Sequence, residues 1–112
     1  GQWVKGKSAD TFGPIGPYLV TKDEIPDVQK LNLSLDLNNQ RMQTGNTSKM
    51  IFGINFILSY LSNFMSLQPG DIVTTGTPPG VGLGKKPPFY LKPGDEMRLT
   101  IDYLGHQHQR VK

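Results

Sequence analysis

Leu31, Leu33, Leu35 and Leu37 alternate with Asn32, Ser34, Asp36 and Asn38. Successive side chains of an extended chain point to opposite faces, so this run buries one face and wets the other. On a helix the same leucines would scatter around its girth and bury nothing together. Asn38 and Asn39 follow at once, and Asn tolerates positive φ. The run is therefore predicted to turn there into a second strand over residues 40–44.

The glycines and prolines agree with a β-rich chain. There are 13 Gly and 9 Pro in 112 residues, clustered at 13–17, 69–70, 76–88 and 93–94. Such clusters mark tight turns. Residues 1–17 read as irregular, and Tyr18, Leu19 and Val20 as a short strand. Leu-x-Pro-Gly-Asp occurs twice, at 67–71 and 91–95. Pro followed by Gly suits a type II turn, and each turn is predicted to feed a strand, at 72–75 and 96–103. A last strand pair turns at Gly105 and runs out at Lys112. Only one stretch has helical period: Ile54, Ile57, Leu58, Leu61, Phe64 and Met65 form a single apolar stripe. Asn55 is the predicted cap, and the stripe is predicted to be core packed on a sheet. The expected class is mainly β (α+β) with one amphipathic helix.

Composition excludes more than it assigns. The chain begins with Gly1 rather than Met, which is read as an internal segment, a proteolytic product or the ordered part of a longer polypeptide. No apolar run approaches the roughly 18 residues that span a bilayer, so no membrane partner is expected. With no Cys there is neither a disulfide framework nor a thiolate metal site, which suits the cytoplasm. The net charge of +3 is scattered apart from Lys5/Lys7 and Lys85/Lys86, without the concentrated basic face of a nucleic-acid binder.

Three motifs fail on mechanism. Residues 1–8, GQWVKGKS, match the phosphate-loop pattern G-x-x-x-x-G-K-S. That loop needs a strand before it and a helix beginning at the Lys, and ADTFGP cannot carry such a helix. Gly80, Gly82 and Gly84 have G-x-G-x-G spacing and run into Pro87-Pro88, so no helix follows to hold a pyrophosphate. His106 and His108 would share one strand face but have no third ligand near in sequence, and are read as solvated.

Two loops remain that join a polar or cationic side chain to a stiff Gly/Pro backbone: residues 3–17 (WVKGKSADTFGPIGP) and 73–82 (VTTGTPPGVG). Rigid loops of this kind hold reactive groups in place at low entropic cost.

The pairing of GKSADTFGPIGP with TGTPPGVG, together with GNTSKMIF at 45–52, EIPD at 24–27 and the two Pro-Gly-Asp turns, resembles the fumarylacetoacetate hydrolase family. The resemblance covers nearly the whole chain in the right order. It implies a mixed β-sandwich roll, usually dimeric, of which residues 1–112 would be the C-terminal portion of one catalytic domain. It also implies a divalent cation, Mg²⁺ or Mn²⁺ and sometimes Ca²⁺, that chelates a small anionic oxo-acid. Carried over by position, Lys7 matches the lysine that meets the substrate's oxygen, and Thr77 with the Gly76 backbone matches the threonine that holds its carboxylate. Lys5 has no matched role and is read as a rim charge. The family's metal ligands, a Glu-x-Glu pair and an Asp, are expected upstream of Gly1, so the 112 residues alone are expected to be inactive and to bind metal poorly.

The implied chemistry is coherent. Cleaving or rearranging a carbon–carbon bond beside a carbonyl leaves an enolate, and a fixed ammonium stabilises the charge that develops on its oxygen. Loss of one such donor typically costs roughly 3–4 kcal/mol of barrier. The expected parent is thus a metal-dependent hydrolase, isomerase or lyase of 2-oxo or 2,4-dioxo acids. The alternative is a non-catalytic β domain that dimerises or binds a carboxylate ligand.

Overall fold

The computed structural model of the protein describes residues 2–112, and Gly1, the first letter of the phosphate-loop match, lies outside them. The leucine run forms β1 (Asn32–Leu37), which returns as β2 (Gln40–Asn46). Asn38 and Asn39 connect them with φ of 49° and 65°. Two positive-φ residues in a two-residue loop give the backbone twist that matches paired strands. After a long excursion the chain adds β3 (Glu96–Ile101) and β4 (Gly105–Arg110). The strands form one antiparallel sheet in the order β2-β1-β3-β4.

Register explains why β1 is central. Leu33, Leu35 and Leu37 stand opposite Ile101, Leu99 and Met97 of β3, so apolar side chains of both strands share one face. Leu37 is 6% exposed and Leu31, just before β1, 5%. Burying a leucine contributes roughly 1.5–3 kcal/mol. The other face carries Ser34, Thr44, Thr100 and His106 in one row and is wet. His106 and His108 lie on it, exposed, with His108 Nε2 3.4 Å from Glu96 Oε2.

Both Leu-x-Pro-Gly-Asp segments adopt the predicted turn. Gly70 and Gly94 have φ of 100° and 93°, and the Asp71 and Asp95 amides donate to Gln68 O and Lys92 O at 3.1 and 3.0 Å. Each Asp then reaches back, its Oδ2 accepting from the Gln68 or Lys92 N–H at 2.8 Å. The second turn leads into β3. Residues 72–75 after the first join no ladder, and neither do Tyr18, Leu19 and Val20.

Two α-helices occur among the described residues. The short α1 (Trp3–Lys7) replaces the irregular structure expected at the start. Of the breakers expected to prevent a helix, Gly6 lies inside it and Gly13, Pro14, Gly16 and Pro17 lie beyond it, and Lys5 and Lys7 in its last turn complement the helix dipole. It ends at Lys7, where a phosphate loop would begin its helix. The apolar stripe forms α2 (Ile54–Ser62). Gly53, not Asn55, occupies the N-cap and offers no side chain. The distant Gln29 does the capping: its Oε1 accepts from Ile54 N–H at 2.6 Å while its Nε2 donates to Thr47 O at 2.9 Å. The stripe is less covered than a core stripe would be. Ile54, Ile57 and Leu61 are half-buried, but Phe64 is 68% exposed. Along the helix Phe52, Phe56, Tyr60 and Phe64 stack in a ladder, with centroids 4.9, 6.2 and 5.0 Å apart. Among the described residues no helix is long and apolar enough to cross a membrane.

Candidate active-site loops over one face of the sheet

A β-bulge shapes the β2 edge. Leu35 pairs with Gln43 and Asp36 with Arg41, which leaves Met42 as the extra residue. A bulge bends its strand and re-aims the neighbouring groups. Met42's carbonyl oxygen lies against Gly80 of the 73–82 loop, where a Cβ would collide with it. Gly80 also has φ +114°, so two independent constraints demand glycine there. Three residues along β2 from Met42, Pro78 seats on Gly45, where an added Cβ would come within 2.8 Å of the proline ring.

Between these contacts Gln43 fastens the loop by hydrogen bonds. Its Nε2 donates to Thr77 Oγ1 at 2.8 Å and to Pro78 O at 2.7 Å. The carbonyl can only accept, which fixes which end of the Gln43 amide faces the loop. Thr77 is exposed, and Gly76 before it has φ 92°, in the region that favours glycine. The predicted Thr77 is thus held against the sheet by a side chain that sequence reasoning did not single out.

The other loop is fastened at the opposite edge. Gln107 of β4 donates its Nε2 to Gly16 O, and its Oε1 accepts from Gln109 Nε2 at 2.9 Å. Tyr18 packs its ring against Gly105. Between this segment and the sheet is an open hollow of ≈ 260 Å³ lined by Tyr18, Val20, Leu99, Ile101 and Gln107. Gln43 pairs with Leu35, Leu35 with Leu99, and Leu99 with Gln107. All four therefore stand in one row on one face, and the two tethers are about 14 Å apart from three strand spacings.

Lys7 closes α1, exposed, nine residues before the Gly16 tether. Among the described residues its ammonium makes no ion pair, and no hydrogen bond joins it to Gly76 or Thr77. Lys5, on the same short helix, is also exposed. The signal that would have found Gln43 and Gln107 is a long amide on the leucine face of a strand. A polar group placed there must find a partner, and both find a loop carbonyl.

No group of three His, Cys, Asp or Glu side chains that could hold a metal occurs among the described residues. A hard cation needs several oxygen ligands together, so these residues do not by themselves fit one.

Comparison with known proteins places this geometry. The family model described as Fumarylacetoacetate (FAA) hydrolase C-terminal matches residues 1–112. A Burkholderia cenocepacia protein named as a hydrolase is 58% identical over 113 residues, covering 100% of this chain. The chain spans about 40% of the length of the curated relatives it matches. Among solved structures, the fumarylacetoacetate hydrolase of Exiguobacterium antarcticum is 41% identical with a TM-score of 0.93, over 96% of this chain and 39% of that one. Maleylpyruvate hydrolase of Sphingobium sp. SYK-6, in complex with manganese(II) and pyruvate, is 38% identical with a TM-score of 0.82, over 91% and 36%. The 2-hydroxyhepta-2,4-diene-1,7-dioate isomerase of Mycobacterium marinum is 37% identical with a TM-score of 0.84, over 98% and 40%. With its whole length matched by the family model and the four-stranded antiparallel sheet shared with these enzymes, the chain belongs to the fumarylacetoacetate hydrolase family.

Proposed function

We propose that this chain is the C-terminal portion of the catalytic domain of a homodimeric, divalent-metal-dependent enzyme that cleaves or isomerises small 2-oxo or 2,4-dioxo acids. In this reading the Lys7 ammonium meets the substrate oxygen on which enolate charge develops. The Thr77 hydroxyl and the Gly76 backbone hold the substrate's carboxylate. Lysine suits the first task because a compact point charge can approach a single oxygen. The cation, Mg²⁺ or Mn²⁺, is held by residues outside these 112 and supplies Lewis-acid polarisation of the oxo-acid when bound.

One observation carries the reading. Gln43 and Gln107 anchor the Thr77 loop and the segment following Lys7 over the same face of the sheet. Loops held above one face can serve one ligand, and rigid anchoring removes the entropy of assembling them on each encounter. The manganese–pyruvate complex of the Sphingobium relative supports a metal and an oxo-acid as the ligand class.

Lys7→Met in the full-length enzyme, assayed with Mn²⁺ on acylpyruvates and diketo acids, tests the reading. A fall in kcat of about a hundredfold or more is expected, because an oxyanion donor is lost. Unchanged turnover of an otherwise active enzyme would defeat the assignment of Lys7.

A further inference from the structure

We infer that Gln43 is a positioning residue that sets the polarity of the Thr77 hydroxyl, turning it into an obligate donor toward the bound carboxylate. This rests on the reading that Thr77 binds that carboxylate. A threonine hydroxyl has one hydrogen and two lone pairs, and it rotates to suit its neighbours. Left alone, it could present either its hydrogen or a lone pair to a passing group. An anion is bound only by the hydrogen.

Gln43 removes the ambiguity. Pro78 O accepts one N–H of the Gln43 amide at 2.7 Å, and a carbonyl has nothing to donate, so the NH₂ end faces the loop. The second N–H then falls on Thr77 Oγ1 at 2.8 Å. That bond occupies one staggered direction around the hydroxyl oxygen with a lone pair, and the hydrogen must take another. One alternative points toward the adjacent Pro78 O, but at 3.5 Å it lies outside the roughly 2.5–3.0 Å of an O–H···O bond. The hydrogen is left to the outward direction. Gln43 itself is half-buried and in register with Leu35 on the leucine face, which keeps its amide on the side of the sheet where the loop lies. The hydroxyl is thereby poised before any ligand arrives, and the donated bond from Gln43 polarises it toward a stronger donor.

Gln43 acts on the hydroxyl through one N–H and on loop placement through the other, bonded to Pro78 O, and substitutions separate the two. Gln43→Glu keeps the shape of the side chain and replaces the donor pair with acceptors. Thr77 would then spend its hydrogen on Glu and offer a lone pair to the carboxylate. Gln43→Met removes both donors and frees the hydroxyl to rotate. Thr77→Val removes the hydroxyl and keeps the shape.

The test is a double-mutant cycle on the full-length Mn²⁺ enzyme, with pyruvate as the probe and its dissociation constant as the readout. Thr77→Val is expected to weaken pyruvate by about 10- to 100-fold, as for a lost bond to a charged group. Gln43→Glu should weaken it at least as much, and Gln43→Met less. In the Thr77→Val background Gln43→Met should add almost nothing, and the losses from Gln43→Glu and Thr77→Val should fall well short of multiplying. A purely structural tether would act regardless of the hydroxyl, so losses that multiply would overturn the inference. If Gln43→Glu does not fold, the cycle with Gln43→Met decides alone. If Thr77→Val binds pyruvate as well as wild type, the carboxylate role of Thr77 fails first and the inference falls with it. If Thr77→Val weakens binding but the Gln43 variants do not, only the inference fails.

Discussion

Gln43 and Gln107 stand at opposite ends of a single cross-strand row, with Leu35 and Leu99 between them, and each donates an amide N–H to the carbonyl of a different loop. The apolar middle of the row is what a β-sheet needs for burial, and the polar ends are what two loops need for attachment. Sequence periodicity thus serves structure at the centre and the candidate site at the edges.

Gly80→Ala should destabilise the protein by about 2–4 kcal/mol, from backbone strain at φ +114° and collision with Met42 O together. Chemical denaturation of the full-length protein checks the loss. A change of less than half a kilocalorie per mole would mean that the loop does not lie on the bulge.

Gln107→Leu should cost about 1 kcal/mol of stability, since the Gly16 carbonyl loses its donor. The effect should be local. Amide hydrogen exchange is expected to quicken in residues 13–20 and to stay unchanged in the β1–β2 hairpin.

Gln29→Ala should destabilise by about 1–2 kcal/mol, because it leaves the first amide of α2 without its acceptor and takes from the Thr47 carbonyl one of its two donors, the other being the Met50 N–H. Far-UV circular dichroism should show a lower melting temperature with the native signal retained at 20 °C.

Asp95 gives an acid-sensitive element. Hydrogen bonds from the Asn38 side chain and the Lys92 backbone hold its carboxyl below the usual carboxylate range. A depressed folded-state pKa contributes stability above the unfolded value of 3.8 and loses it as the pH falls through the folded value. The melting temperature of Asp95→Ala should therefore lie below wild type at neutral pH, and the gap should narrow as the pH drops below 3.8. A gap independent of pH would contradict the charged role.

What the sequence made legible was local. The leucine alternation, the Asn38-Asn39 connection, the two Pro-Gly-Asp turns and the wet face carrying His106 and His108 depend on near neighbours, and all appear as read. What it hid depends on residues far apart in the chain. Asn55 looked like a cap, but Gln29, 25 residues away, does that work. Tyr18 to Val20 had strand composition but joins no ladder; Tyr18 lies against Gly105, while the Leu19 side chain stays exposed. The stripe of α2 is only half covered, and burial of a helix face depends on whatever else packs there. Of the candidate site, Gly76 and Thr77 rest on family resemblance, whereas Gln43 did not stand out, because the groups it bonds lie in a loop 34 residues further on.

The central claim is that Lys7 and Thr77 serve one anion. A crystal structure of the full-length enzyme with Mn²⁺ and pyruvate tests it most directly. The account predicts Lys7 Nζ and Thr77 Oγ1 each within about 3 Å of an oxygen of the same pyruvate. Pyruvate bound with either side chain turned to the opposite side of the sheet would contradict it.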